Sequence, residues 1–267
     1  KKEKLILSEK KYSEHLKMYD DRMEYLNTFK DSVDYLQVYD DIISKEKCKS
    51  LIKHHGILKK NGYGHHGRTT SSKPGIKTSY NVNKKSSYDI YLKPYFTTDN
   101  IFDEEFRVLL KKSYNNIVYF ISDYLVKVGF MGIDYIGKGF VQYISDLHQK
   151  GERINRVGEE FTVNELCLRK YPRYTGGYHQ MHWDSVGPSC PRVCAGILYL
   201  NTIREGGETF FPVLGKKIKP KRGRLVIFPS YFTHMHLGLP SLTNDRYIIA
   251  IHVCMNDLNQ KKENSNG

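Results

Sequence analysis

The sequence predicts an α+β fold, with helices flanking a C-terminal half built of strands. Apolar residues recur at helical spacing between about 103 and 128, which predicts one long amphipathic helix. From residue 163 onward the texture changes to short apolar runs separated by turns, about eight of them. Strands at that spacing indicate a sandwich, a jelly roll or a barrel. A chain of 267 residues, 39% hydrophobic and 13% aromatic, is long enough to bury a core and too apolar to be disordered.

In chain order, residues 1–34 form a charged, tyrosine-rich peripheral segment, where Leu16, Tyr19, Met23, Leu26 and Phe29 sit near helical spacing. The domain proper is expected over 35–258, with its strand core at about 163–255 and a polar tail at 259–267. Tyr35–Ile43 reads as a strand. Ser44 is the expected N-cap of a helix over Lys45–His55. Gly, His, Ser, Thr and Lys dominate 56–78, which predicts a loop, with His54, His55, His65 and His66 exposed in or beside it. Tyr80–Leu92 reads as a strand.

The long helix carries Phe106, Leu109, Leu110, Ile117, Phe120, Ile121, Tyr124 and Leu125 on one stripe, suited to packing on a sheet. Residues 129–162, with four glycines between 132 and 151, read as a loop-rich insertion. The eight strands are expected at Val163–Tyr171, Tyr178–Asp184, Val193–Asn201, Thr209–Val213, Lys216–Pro220, Leu225–Pro229, Thr233–Leu237 and Tyr247–Cys254.

Composition narrows the function classes. No apolar run reaches the length of a membrane span. Five cysteines, an odd number outside any tight framework, predict reduced thiols and a cytoplasmic or other reducing compartment. Cys190 and Cys194 lack the second pair of a zinc site. The net charge of +13 suits an anionic partner, but the lysines are spread along the chain without the block of a nucleic-acid tail.

The residues that carry chemistry begin at His182-Trp183-Asp184. Strand alternation puts His182 and Asp184 on one face and Trp183 on the other. Two histidines and a carboxylate form the facial set that holds non-haem Fe(II) and leaves positions open. A third ligand must come from a distant strand. His234 and His236 alternate onto the same face, so periodicity leaves both as candidates. His179 falls on the opposite face from His182. Arg246, ten residues after His236, offers a planar cation for a carboxylate. It shares a face with Ile248, Ala250 and His252.

Several segments accompany this set. They are Tyr171-Pro172 through Gly176-Gly177-Tyr178; Ile197-Leu198-Tyr199-Leu200-Asn201; Glu205-Gly206-Gly207-Glu208-Thr209-Phe210-Phe211-Pro212; Lys219 to Ser230; and Thr233-His234-Met235-His236-Leu237-Gly238-Leu239-Pro240 leading to Asp245-Arg246-Tyr247-Ile248. Over about 163–255 the chain resembles the Fe(II)- and 2-oxoglutarate-dependent dioxygenases, in the prolyl 4-hydroxylase/lysyl hydroxylase branch. The segment Tyr39-Asp40-Asp41-Ile42-Ile43 resembles the opening of such domains.

The resemblance implies a double-stranded β-helix (jelly roll) as the catalytic core. In this family the second metal histidine lies four residues before a proline and about ten before the basic residue. That register selects His236, with Pro240 and Arg246, and leaves His234 to line or support the site. His182, Asp184 and His236 are then the metal ligands, Arg246 the partner of the far carboxylate of 2-oxoglutarate, and Tyr171 and Tyr199 phenols at the same co-substrate. The implied cofactors are Fe(II), 2-oxoglutarate and O2, with ascorbate as a further ligand. Gly206-Gly207 and Gly223 are read as turn residues, Trp183 as packed, and Lys219, Lys221 and Arg222 as an exposed basic face.

The implied reaction is hydroxylation of an unactivated C–H bond with release of succinate and CO2. The presence of Asp184 favours hydroxylation over halogenation. The implied partner is a peptide or protein, with a prolyl side chain ahead of a lysyl one. Arg246, where many collagen prolyl hydroxylases have lysine, tempers a collagen-prolyl assignment. A nucleic-acid demethylase is disfavoured, because His252 stands where that branch places a second arginine. The intact ligand set argues against an inert binding protein on the same fold.

Overall fold

A computed structural model describes residues 35–69, 79–92, 102–128, 161–186 and 192–255. Along the chain these form β1 (Gln37–Tyr39), α1 (Lys45–Lys60), β2 (His65–His66), β3 (Arg68–Thr69), β4 (Ser79–Tyr80), β5 (Lys85–Ser86), β6 (Tyr88–Tyr91) and α2 (Glu104–Lys127). There follow β7 (Phe161–Tyr171), β8 (Gly177–His182), β9 (Arg192–Tyr199), β10 (Thr209–Phe211), β11 (Lys216–Ile218), β12 (Leu225–Pro229), β13 (His236–Gly238) and β14 (Arg246–Met255).

Two antiparallel sheets make the core. One has seven strands in the order β1-β12-β9-β14-β7-β6-β2, the other five in the order β11-β10-β13-β8-β5. The strand period of two sorts the large sheet into faces. Ile249, Ile251 and Val253 of β14, Leu198 of β9, and Leu225 and Ile227 of β12 join one buried cluster with the apolar stripes of α1 and α2. Ile248 and Ala250, Ala195 and Tyr199, and Val226 and Phe228 join a second cluster with Phe211 of the five-stranded sheet. The helices therefore cover the outer face of the large sheet, and its inner face is turned to the smaller sheet. This is the expected jelly-roll core with flanking helices, and all eight C-terminal strands are present.

The differences from the sequence reading have local causes. The first strand is three residues long rather than nine, because Tyr35 and Asp41 on either side of it adopt left-handed backbone, φ 54° and 57°. Ser44 does cap α1, its hydroxyl accepting from Lys47 N at 3.3 Å, but the helix continues through Gly56 to Lys60. His54 and His55 are consequently buried, not exposed as expected. His54 stacks on Phe106 at 4.3 Å and donates from Nδ1 to the Ser50 carbonyl, while His55 donates to the Tyr88 carbonyl.

The expected loop at 56–78 thus holds the end of a helix and two short strands, with 70–78 outside the described residues. The strand expected at 80–92 is split among β4, β5 and β6. The stretch predicted as strand from Thr233 begins as a 3-10 turn, Phe232–His234, before β13. Lys221 is exposed at its side chain, as expected, and with Arg224 it grips Asp40, at 3.1 and 2.7 Å. The expectations for 1–34, Cys190 and 259–267, and for all but the last two residues of 129–162, fall outside the described residues.

Candidate active site

β8 and β13 are neighbours in the five-stranded sheet, and their register sets His236 directly opposite His182. Cross-strand partners lie close enough for their side chains to meet. The two rings sit 4.4 Å apart, centroid to centroid. Asp184 lies just past the end of β8, where the Asp184 and Ser185 amides both donate to the Ser230 carbonyl, at 3.1 and 2.9 Å. Those two bonds pin the chain to the end of β12 and turn the carboxylate back toward the histidines.

One donor atom from each of His182, Asp184 and His236 lies within 4.8 Å of the others. His182 donates from Nδ1 to the Gln180 carbonyl at 3.0 Å, and His236 from Nδ1 to the His234 carbonyl at 3.1 Å. A carbonyl only accepts, so the proton is on Nδ1 and the Nε2 lone pair of each ring is left for the centre. The Nε2 atoms stand 3.8 and 3.9 Å from the Asp184 carboxylate, too far for hydrogen bonds. Burial, and then the neighbouring His236, push His182 down to about 3. Burial also lowers His236. Both shifts favour the neutral ring, the form that can give an Nε2 lone pair to a metal. Burial works against the Asp184 carboxylate, but the histidines around it hold it well below the usual carboxylate range. Two neutral imidazoles and one carboxylate, converging without bonding to each other, fit a divalent iron.

A cavity of about 140 Å³ opens on these groups and is also lined by Tyr171, Tyr199 and Arg246. Every site residue expected from the sequence therefore meets in one place. Arg246 is buried, and its guanidinium donates to the Gly207 carbonyl and lies over the Tyr171 ring at 4.4 Å. Its Nε has no hydrogen-bond partner, and among the described residues it forms no ion pair. A buried cation without an anion is costly. An anionic group in the cavity, such as one end of a dicarboxylate, would complete the arrangement. Tyr199 gives or receives a bond with Thr209 Oγ1 at 2.6 Å. His234 is buried and takes part through its carbonyl. His179 bonds the Thr175 carbonyl instead.

Four features at the site were given no role in it by the sequence. His252 lies with its Nε2 3.4 Å from Asp184 Oδ1 and its Nδ1 3.0 Å from Glu165 Oε2. Burial opposes its charge, but the Glu165 and Asp184 carboxylates prevail and raise its pKa. Glu165, paired across the sheet with His252, is itself held by Arg169 and Arg192, at 2.9 and 2.8 Å. Lys85 and Asp89 form a buried pair at 2.6 Å behind Arg169. Gly238 faces Arg246, where a Cβ would stand 2.9 Å from Nη2. The signal for His252 was present in its alternation with Arg246. The others needed the strand pairing.

Residues 168–253 match the model of the 2OG-Fe(II) oxygenase superfamily. A probable prolyl 4-hydroxylase 9 of Arabidopsis thaliana is 27% identical over 114 residues, which is 34% of this chain and 39% of that protein. The match thus spans well under half of the plant protein's length. Among solved structures, a Pseudomonas putida prolyl-4-hydroxylase superposes with a TM-score of 0.53 at 13% identity, covering 86% of this chain and 98% of that one. A prolyl hydroxylase of Trichoplax adhaerens, in complex with a hypoxia inducible factor peptide fragment, gives 0.51 at 15%, covering 90% and 92%. The viral collagen prolyl hydroxylase of Paramecium Bursaria Chlorella virus-1 gives 0.50 at 17%, covering 85% and 98%. These structures share the fold. Residues 168–253 are thus similar to the 2OG-Fe(II) oxygenase superfamily, and the relatives and structures that the chain resembles are prolyl hydroxylases.

Proposed function

We propose that the chain is an Fe(II)- and 2-oxoglutarate-dependent dioxygenase that hydroxylates a peptidyl side chain, proline first. The observation that carries this reading is the convergence of two Nε2 lone pairs and one carboxylate in a single cavity with a buried guanidinium that has no ion-pair partner among the described residues. His182, Asp184 and His236 would hold the metal. Arg246 would take the far carboxylate of 2-oxoglutarate, and Gly238 leaves it the room. Tyr171 and Tyr199 line the same cavity and would frame the co-substrate. The bound iron supplies the oxidative chemistry, in which 2-oxoglutarate, O2 and a C–H group become succinate, CO2 and an alcohol. The protein's part is to orient these reactants and to exclude water from between them.

The preference for proline rests on the relatives whose names carry that activity. A lysyl side chain is the alternative substrate of the family, and the charge lining the cavity is the observation that bears on it. The test is succinate release from iron-loaded protein with 2-oxoglutarate, ascorbate to keep the metal reduced, and a library of prolyl and lysyl peptides. Prolyl peptides are expected to raise release above the peptide-free rate, and Asp184→Ala to abolish it. Absence of both coupled and uncoupled turnover in iron-loaded protein would overturn the enzyme reading.

A further inference from the structure

We propose that the peptide entering this cavity carries acidic residues beside the residue that is oxidised, and that a lysyl side chain is rejected. This rests on the dioxygenase reading above. The cavity wall contributes five cations, Arg68, Lys85, Arg169, Arg192 and Arg246, against the carboxylates of Glu165 and Asp184. Among the described residues Asp89, behind Lys85 and Arg169, is the one further carboxylate ion-paired with them, and Glu208 acts on Arg246 from farther off. Even with every histidine neutral, five against four leaves an excess of one positive charge. A divalent iron and a doubly charged 2-oxoglutarate cancel each other, so binding of both preserves the excess.

The carboxylates are already engaged. Glu165 is shared by Arg169 and Arg192, and Asp89 by Lys85 and Arg169. Asp184 faces the two histidines of the triad and His252. A lysyl ammonium entering here would find no free carboxylate among the described residues that line the cavity and would be desolvated among like charges, which is strongly unfavourable. A prolyl ring bears no charge and escapes that cost.

One of the cations is placed to meet a flanking carboxylate. Arg68 is exposed, and among the described residues it forms no ion pair. Arg192 is half-buried and already held by Glu165 and by the Asp184 carbonyl, so the exposed Arg68 is the cation left for that carboxylate. Cavities lined by one sign of charge focus the field and concentrate the opposite sign. The net charge of +13 on the chain acts in the same direction at longer range.

The experiment is peptide binding to the full chain loaded with Mn(II) and N-oxalylglycine, an unreactive analogue of 2-oxoglutarate. Three fluorescent peptides are compared: a central proline flanked by aspartate and glutamate, the same proline flanked by serine and asparagine, and a central lysine with neutral neighbours. The acidic peptide is expected to bind on the order of tenfold more tightly than the neutral one at low salt, the lysyl peptide least, with the spread shrinking as salt is added. Arg68→Glu should erase most of the acidic preference. Equal affinities, a preference for the lysyl peptide, or a preference untouched by Arg68→Glu would overturn the proposal. Succinate release without peptide is measured separately. Its absence counts against the dioxygenase reading and leaves the charge preference to be judged by binding alone.

Discussion

Asp184 faces two demands at once. In the proposed function one of its oxygens would serve the metal, and the other would have to be kept from doing so if positions are to stay open for co-substrate and O2. His252 Nε2, 3.4 Å from Asp184 Oδ1, stands where it can hold that second oxygen, with Glu165 behind it. Partners of this kind commonly change metal affinity by about 10–100-fold. His252→Phe is therefore expected to weaken Co(II) or Fe(II) binding by roughly that range, read by titrating metal into apo-protein. His252→Gln, which can still donate to Asp184, should recover part of it. Glu165 keeps Arg169 and Arg192 in either variant, so unfolding midpoints should move little. Unchanged metal affinity in His252→Phe would remove this role. The presence of His252 on the face of Arg246 could be read from alternation. Its contact with Asp184 could not, since that depends on how β14 lies across the cavity from β8.

At the scale of elements, the short β1 is tied to β12 by charge as well as by backbone. Asp40, at the end of β1, meets Arg224 and Lys221. The Arg224 bond and the Lys221 contact hold its carboxyl down at about 2. A carboxyl depressed on folding stabilises the fold above its unfolded value and loses that contribution as pH falls through its folded one. The window here runs from about pH 4 down to about pH 2. Asp40→Asn should cost a few tenths to about 1 kcal/mol at neutral pH, modest because the pair is partly exposed. The gap from the parent should narrow at about pH 3, measured by urea denaturation. A gap that widens on acidification would contradict the assignment. The strand itself was overestimated from sequence, since its apolar alternation runs past Asp41 while the backbone there turns left-handed. Composition marks apolar content, but a single residue at positive φ ends pairing without changing that content.

For the whole molecule, the two faces of β14 divide stability from chemistry. Ile249 and Ile251 pack under the helices, while Arg246 and His252 face the cavity. Ile251→Ala is expected to destabilise the fold by about 2–5 kcal/mol, seen in the urea midpoint, with metal affinity unaltered. A matching loss of metal affinity would show that the helix-covered face and the cavity are not separable. The same division explains what was hidden in 80–92. A stretch that reads as one strand is broken so that Lys85 and Asp89 can turn inward and pair, and apolar periodicity carries no signal for a buried ion pair.

The sequence by itself determined the class of fold, the eight C-terminal strands and the faces on which His182, Arg246 and His252 lie, because a strand's side chains alternate whatever it pairs with. Between His234 and His236 periodicity was silent, and only a family resemblance chose. The tertiary structure decided the partnerships. It set His236 opposite His182 and Glu165 opposite His252, buried His54 and His55, and gathered five cations around one cavity. Strand register arises from contacts between segments far apart in the chain, and a local pattern repeats identically under every shift by two residues.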